Sequence, residues 1–238
     1  MHPSYYVKTY AAHLEALRQR HGEAEAMEQL VGGADHWVGM LEYGTLLNLG
    51  LQPDATIVDV GCGTGRFAHR LSEAAFAGRY VGTDILPDIV NYARQRIARA
   101  DWTFAVAVAP PLPIEVGSAD WVTFFSVFTH IADADIYLYL QEAKRLLKPG
   151  GRVVFSFLDF GLADHWPVFE QSLANRSEDG PLNRFLGKDT IRHWSDRLGL
   201  RIEAWHDGNE PWIKLSPPNV LHDLSAPFWQ SIAVLRAS

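Results

Sequence analysis

The chain has 238 residues, a formal net charge of −7, and hydrophobic and charged fractions (47% and 21%) that place it among ordinary globular proteins. That length suits one α/β domain with additions, and the acidic balance offers no footprint for nucleic acid. Its one cysteine, Cys62, excludes an internal disulfide and a cysteine-based zinc cluster.

No metal site is expected. The lone cysteine suits a reducing, cytoplasmic setting. Residues 1–20 are polar and mixed in charge, unlike a signal peptide. No apolar run approaches the ~20 residues of a membrane span.

Residues 4–31 carry helical periodicity, with Ala11, Leu14 and Leu17, then Met27, Leu30 and Val31 after Gly22. Gly32-Gly33 breaks it. A second helix is expected from about His36 to Asn48, ended by Gly50 and Pro53-Asp54. Strands and helices then alternate. Strand 1 spans about 56–60 and a helix 65–75, with Phe67 and Leu71 inward and Arg66 and Arg70 nearer water. Strand 2 runs from Tyr80 to Asp84, and Pro87-Asp88 opens a helix to about Arg99. Strand 3 covers about 102–108, and Pro110, Pro111 and Pro113 enforce a loop. Strand 4 covers about 120–126. Asp133 or Asp135 caps a helix with Ile136, Leu140, Ala143 and Leu147 on one face. Lys148-Pro149-Gly150-Gly151 reads as a stop before strand 5 at 152–158. Residues 163–175 and 188–198 read as helices, and 199–205 and 231–235 as strands. An irregular segment, 207–230, separates those strands and contains Pro211, Pro217, Pro218 and Pro227. There is no internal repeat.

Short β-rich strands separated by helices predict a parallel sheet covered on both faces. Ligands of such sheets lie outside the carboxyl ends of the strands. Asp59, Asp84, Val108 and Ser126 fall near those ends and should meet in one crevice.

The stretch Asp59-Val60-Gly61-Cys62-Gly63-Thr64-Gly65-Arg66 is the strongest local signal. Three glycines at alternate positions between a strand and a helix allow a tight turn and close approach of a ligand to the backbone. A dinucleotide site would want a third glycine where Arg66 stands, and a phosphate loop would want Gly-Lys-Ser/Thr. A permissive turn without a ligand is the plain alternative. Asp84 has two acceptor oxygens for ribose hydroxyls, or it caps the helix starting near Pro87.

The glycine stretch resembles the first motif of class I S-adenosylmethionine-dependent methyltransferases. Tyr80-Val81-Gly82-Thr83-Asp84 is similar to their second motif. Ser126-Val127-Phe128-Thr129-His130 is similar to the segment after their fourth strand, and 139–151 to their helix and turn before strand 5. The ordered set spans roughly residues 36–158. The resemblance implies a Rossmann-like seven-stranded sheet in the order 3-2-1-4-5-7-6, the last strand antiparallel. It also implies one domain over 1–238, with a helical lid (1–50), a cofactor-binding half (51–160) and a substrate-side part (161–238). Asp59, Gly61, Gly63 and Gly65 would face the methionine part and ribose of S-adenosylmethionine, Asp84 the ribose, and Ile85 the adenine. Ser126 and Val127 would line the floor near the sulfonium. Arg66 would meet the methionine carboxylate or remain a solvated surface charge. The family often carries an acid after strand 3, near Val108. This chain has Ala105-Val106-Ala107-Val108-Ala109 there, and Asp101 is too early to replace it.

The implied reaction is methyl transfer to a small molecule, with oxygen favoured over nitrogen and S-adenosylhomocysteine as co-product. His130, at the crevice mouth, is the candidate general base, or a histidine that only bonds its loop. Asp159 and His165 are second candidates, otherwise a turn acid and a surface imidazole. Trp37, Tyr43, Trp166, Trp194, Trp205, Trp212 and Trp229 suggest an apolar or aromatic acceptor. An NAD-dependent oxidoreductase, a non-catalytic S-adenosylmethionine-binding protein and an RNA or protein methyltransferase are the rivals. The sequence is silent on oligomeric state.

Overall fold

The computed structural model describes residues 3–174, 183–215 and 224–238. Pro217, Pro218 and the expected helix end at Asn175 lie outside the described residues. The helices are α1 (Pro3–His21), α2 (Glu23–Leu30), α3 (Asp35–Asn48), α4 (Arg66–Glu73), α5 (Pro87–Ile97), α6 (Asp133–Leu146), α7 (Trp166–Ala174) and α8 (Lys188–Leu198). The strands are β1 (Thr56–Val60), β2 (Arg79–Asp84), β3 (Thr103–Val106), β4 (Ala119–Phe124), β5 (Leu147–Asp159), β6 (Phe185–Leu186), β7 (Leu200–His206), β8 (Ile213–Leu215), β9 (Leu224–Ala226) and β10 (Ser231–Ala237).

The main sheet runs β3-β2-β1-β4-β5-β10-β7, with β6 added beside the end of β5. This is the expected order, with β10 antiparallel to both neighbours. Alternation along the strands sends side chains to two layers. Val58, Val122 and Phe155 pack with Ile136 and Leu140 of α6 and Ile191 of α8. Ile57, Trp121 and Val154 pack on the other face with Leu41 of α3, Phe67 and Leu71 of α4 and Val90 of α5. Burying both faces accounts for the continuous apolar runs.

Several boundaries differ from the sequence reading. β3 ends at Val106, because β2 ends at its register partner Asp84 and offers nothing further to pair with. β5 begins at Leu147. Ala119 pairs with Leu147 and Trp121 with Arg152, so the Lys148–Gly151 stretch is an outward bulge in a longer strand. The segment expected to be irregular contains the β8–β9 hairpin. Neither Asp133 nor Asp135 caps α6. Its N-cap is Ala132, without a side-chain bond. Asp133 pairs instead with Arg184, and Asp135 with Tyr6 of α1.

The N-terminal helices sit against the body through identifiable contacts. Leu14, Leu17, Met27 and Leu30 cluster with Leu86 and Ile89 at the start of α5. Gly39 of α3 lets the helices approach closely, since a Cβ there would lie 2.7 Å from the carbonyl oxygen of Arg66. Arg66 itself is only 8% exposed, which overturns its expected place near water. Its Nε donates to Glu42 Oε1 at 2.8 Å and its Nη1 to the carbonyl of Val31 at 2.9 Å. Glu42 is equally buried, so the pair replaces water with a matched partner. Removing one member of such a pair strands the other charge, at a cost of about 3–5 kcal/mol. Glu42→Ala should therefore lower unfolding stability by about that amount in a urea titration, and Glu42→Gln, which keeps an acceptor, by less.

Candidate functional site

The carboxyl ends of β1, β2 and β4 and the chain after β3 open into a cavity of about 800 Å³. This lies in the upper part of the usual ligand-pocket range of about 300–1,000 Å³. α1, the end of α2, α3 and the Phe228–Gln230 segment close its other sides.

The glycine turn forms one wall. Gly61, Gly63 and Gly65 have φ of 75°, 54° and 77°, the left-handed region that disfavours a side chain. A Cβ on Gly61 would meet Val127 Cγ2 at 2.4 Å, and one on Gly63 would meet Val31 Cγ1 at 2.8 Å. Gly61 and Gly63 line the cavity. Gly65 does not; it is the N-cap of α4 and turns toward Ala93 of α5. Cys62 is a buried spacer.

Asp84 locks this turn. Its Oδ2 accepts the amide of Gly63 at 3.0 Å, and its Oδ1 accepts the amides of Ile85 (2.7 Å) and Leu86 (3.3 Å). Burial raises its pKa, while those three amides pull the other way. It is not the cap of α5, whose N-cap is Leu86 without a side-chain bond. Asp59 is engaged within the sheet. Tyr80 donates to its Oδ2 at 2.6 Å and Thr123 to its Oδ1 at 2.8 Å.

Asp59, Gly61, Gly63, Arg66, Asp84, Ile85, Val108, Ser126, Val127 and His130 all border the one cavity. Of the residues expected to hold the cofactor or act as the first-choice base, Gly65 alone does not border it. Ser126 has a left-handed backbone, φ 57°, a costly conformation that clusters at functional sites. His130 donates its backbone amide to Val127 at 3.0 Å, and its ring stands edge-on to Tyr10, 6.2 Å between centroids. Asp159 and His165 lie elsewhere. His165 is buried, not superficial. Its Nδ1 accepts the Asp159 amide at 2.7 Å, so the proton sits on Nε2, which donates to the Trp229 carbonyl at 3.2 Å. Of the seven aromatics singled out, Trp229 alone borders this cavity.

The α1 contribution was missed. Tyr6, Tyr10 and His13 recur at three- and four-residue spacing on one helix face and border the cavity. That polar-aromatic stripe was readable beside the apolar Leu14 and Leu17. The Tyr6 hydroxyl donates to Asp135 and accepts the Ala132 amide at 2.9 Å. Burial and the bond to Asp135 push its pKa up to about 12. Burial lowers that of His13 and favours its neutral imidazole. Gln230 was also missed, because nothing local marks a glutamine before a strand as a pocket residue. Among the described residues there is no cluster suited to a metal ion, and no helix is long and apolar enough to cross a membrane.

Residues 57–151 match the family model described as a methyltransferase domain. The chain is 34% identical over 150 residues to the malonyl-[acyl-carrier protein] O-methyltransferase of Hahella chejuensis, covering 62% of this chain and 51% of the relative. It is 35% identical over 115 residues to the demethylmenaquinone methyltransferase of Lactococcus lactis, covering 46% and 44%. These matches span about half the length of those relatives. The magnesium protoporphyrin IX methyltransferase of Synechocystis, solved with bound S-adenosylhomocysteine, shares the fold at a TM-score of 0.60 and 19% identity, over 86% of each chain.

Burial drives the Asp59 carboxyl from 3.8 up to about 6, against the opposing pull of Tyr80 and Thr123. Between those values the folded chain keeps a proton that the unfolded chain has released, so the Asp59 contribution to stability falls as pH rises through this window. Urea titrations from acid to neutral pH should show this loss in the wild type and its absence in Asp59→Asn.

Proposed function

We propose that this chain, which belongs to the class I S-adenosylmethionine-dependent methyltransferases, transfers a methyl group from S-adenosylmethionine to a small-molecule acceptor, at oxygen. The observation that carries this reading is the continuity of one cavity from the Gly61–Gly63 cradle to the His130 side chain. The cradle fits the cofactor on steric grounds. Side chains at Gly61 and Gly63 would strike Val127 and Val31, so the bare backbone is what keeps this wall open. The relative named an O-methyltransferase supports oxygen as the accepting atom.

Bound S-adenosylmethionine would supply a methyl group on positively charged sulfur, the broken carbon–sulfur bond returning its electron pair to sulfur to give S-adenosylhomocysteine. The protein's residues bind, align and deprotonate. Asp84, already fixed by three backbone amides, offers its remaining lone pairs to the ribose. Ile85 and Val108 flank the adenine on apolar surface, in place of the family's acid. The first turn of α4 faces the methionine carboxylate, while the Arg66 guanidinium stays paired with Glu42 beside it. Asp59 supports this wall from within the sheet. Ser126 and Val127 form the floor beneath the methyl group. Alignment of acceptor with methyl carbon supplies much of the rate, because it replaces a bimolecular encounter with a held geometry. His130 takes the acceptor's proton as the new carbon–oxygen bond forms.

Calorimetric titration tests the cofactor half directly. Asp84→Ala should weaken S-adenosylmethionine binding by about 1–3 kcal/mol, the worth of lost hydrogen bonds to a charged group; unchanged affinity removes Asp84 from the site. His130→Ala should cut turnover, followed as S-adenosylhomocysteine release, by about 10²–10⁴-fold while cofactor affinity holds. Full turnover in that variant would discard the base.

A further inference from the structure

We infer that the methyl acceptor is an uncharged molecule with an apolar body, whose oxygen takes a hydrogen bond from the side-chain amide of Gln230. This inference rests on the methyl-transfer reading and adds the acceptor's chemical class.

Gln230 is held by two serines. The Ser126 amide donates to Ser156 Oγ at 2.7 Å, and Ser156 Oγ lies 2.6 Å from Gln230 Oε1. The Ser156 hydroxyl has one hydrogen, and its oxygen already accepts. That hydrogen is donated to the amide oxygen of Gln230. This fixes the opposite end as Nε2, which donates one hydrogen to Ser126 Oγ at 3.1 Å. Its second hydrogen has no partner among the described residues, and Gln230 borders the cavity beside Ser126. A donor locked in place at the floor of a pocket is a recognition group for an acceptor oxygen.

The protein's own charges in the cavity weigh against an anionic acceptor. Four carboxylates border it, Glu42, Asp59, Asp84 and Asp135, against the single guanidinium of Arg66. That guanidinium is already paired with Glu42. A carboxylate buried here would lose its water and find no uncommitted cationic side chain lining the cavity, which is costly. The carboxylates themselves are spoken for. Tyr80 and Thr123 hold Asp59, backbone amides hold Asp84, and Tyr6 holds Asp135. An acceptor's ammonium group would have to share these oxygens with the bonds that already hold them.

The remaining wall is apolar and aromatic, including Tyr10, Tyr139, Phe228 and Trp229. At the mouth, Leu138 and Trp229 border the cavity while 48% and 68% exposed. Such a rim suits a flat apolar body that extends outward from the buried oxygen.

Three probes sharing one naphthalene body test the inference by calorimetry on the full chain at neutral pH: 2-naphthol, 2-naphthoate and 2-naphthylmethylamine. S-adenosylhomocysteine is titrated first and left bound, so failure of the cofactor reading shows as absence of that first binding and takes the inference with it. With the cofactor site filled, naphthol should bind at least about tenfold tighter than either ion, a difference of about 1.4 kcal/mol. Gln230→Glu, which keeps an oxygen for Ser156 but has no amide donor, should lose about tenfold or more in naphthol affinity. Ser156→Ala, which releases Gln230, should lose affinity in the same direction, and both variants should hold S-adenosylhomocysteine as the wild type does. Naphthoate or the amine binding as tightly as naphthol, naphthol failing to bind at all, or either variant binding naphthol normally would each overturn it.

Discussion

Across the gap between β1 and β2, the amide of Gly63 donates to Asp84 at 3.0 Å, and much of the molecule is arranged around that bond. The parallel register pairs Asp59 with Gly82 and Val60 with Thr83, so the two chains leave the sheet side by side. The amides of Gly61 and Cys62 then both donate to the Thr83 carbonyl, at 2.7 and 2.9 Å. With those three bonds made, the turn cannot drift from the second strand. α4 starts where the turn releases it, and the buried Arg66 is delivered to Glu42. Losing the carboxylate would leave the amide of Gly63 without its partner in a tight turn.

The Arg66–Glu42 pair extends the same constraint outward. It joins the first turn of the cradle's helix to α3, and through the Val31 carbonyl to the end of α2. The N-terminal helices are thus tied to the sheet electrostatically as well as by the apolar contact with Leu86 and Ile89. The tie also sets the character of the cavity. A cation that would otherwise draw anions inward is spent on structure. What remains is a pocket of neutral donors and aromatic faces beside committed carboxylates, a field better suited to a positively charged methyl donor than to an anion.

Much of this was legible in the sequence, for a physical reason. Strand-end acids, alternating glycines and β-branched runs act locally, so β1, α4, β2 and β4 were placed within a residue or two, and nine of the ten cofactor positions border one cavity. The failures were non-local. Arg66 is polar on any hydropathy scale, and its burial depends on Glu42, 24 positions away. Asp133 and Asp135 suit a cap, but tertiary partners on α1 and at Arg184 claim them. His165 is buried where the Asp159 amide and the Trp229 carbonyl, 64 positions away, meet its ring. The β8–β9 hairpin and Gln230 fall in proline-rich sequence without periodicity, where pairing depends on what the rest of the fold places opposite.

The ring of His165 has a further meaning for the chain that carries Trp229. The Trp229 carbonyl accepts from Nε2 of His165, its amide donates to the Gly208 carbonyl at 2.8 Å, and its backbone is left-handed, φ 71°. Its indole nevertheless projects mostly into solvent. The main chain at this position is clamped from both sides, while the side chain is unconstrained by the core. Shape at the pocket entrance is thereby uncoupled from the placement of the next residue, Gln230. Exchanging the indole for a smaller or larger group would thus reshape the entrance while the Gln230 amide stays where it is.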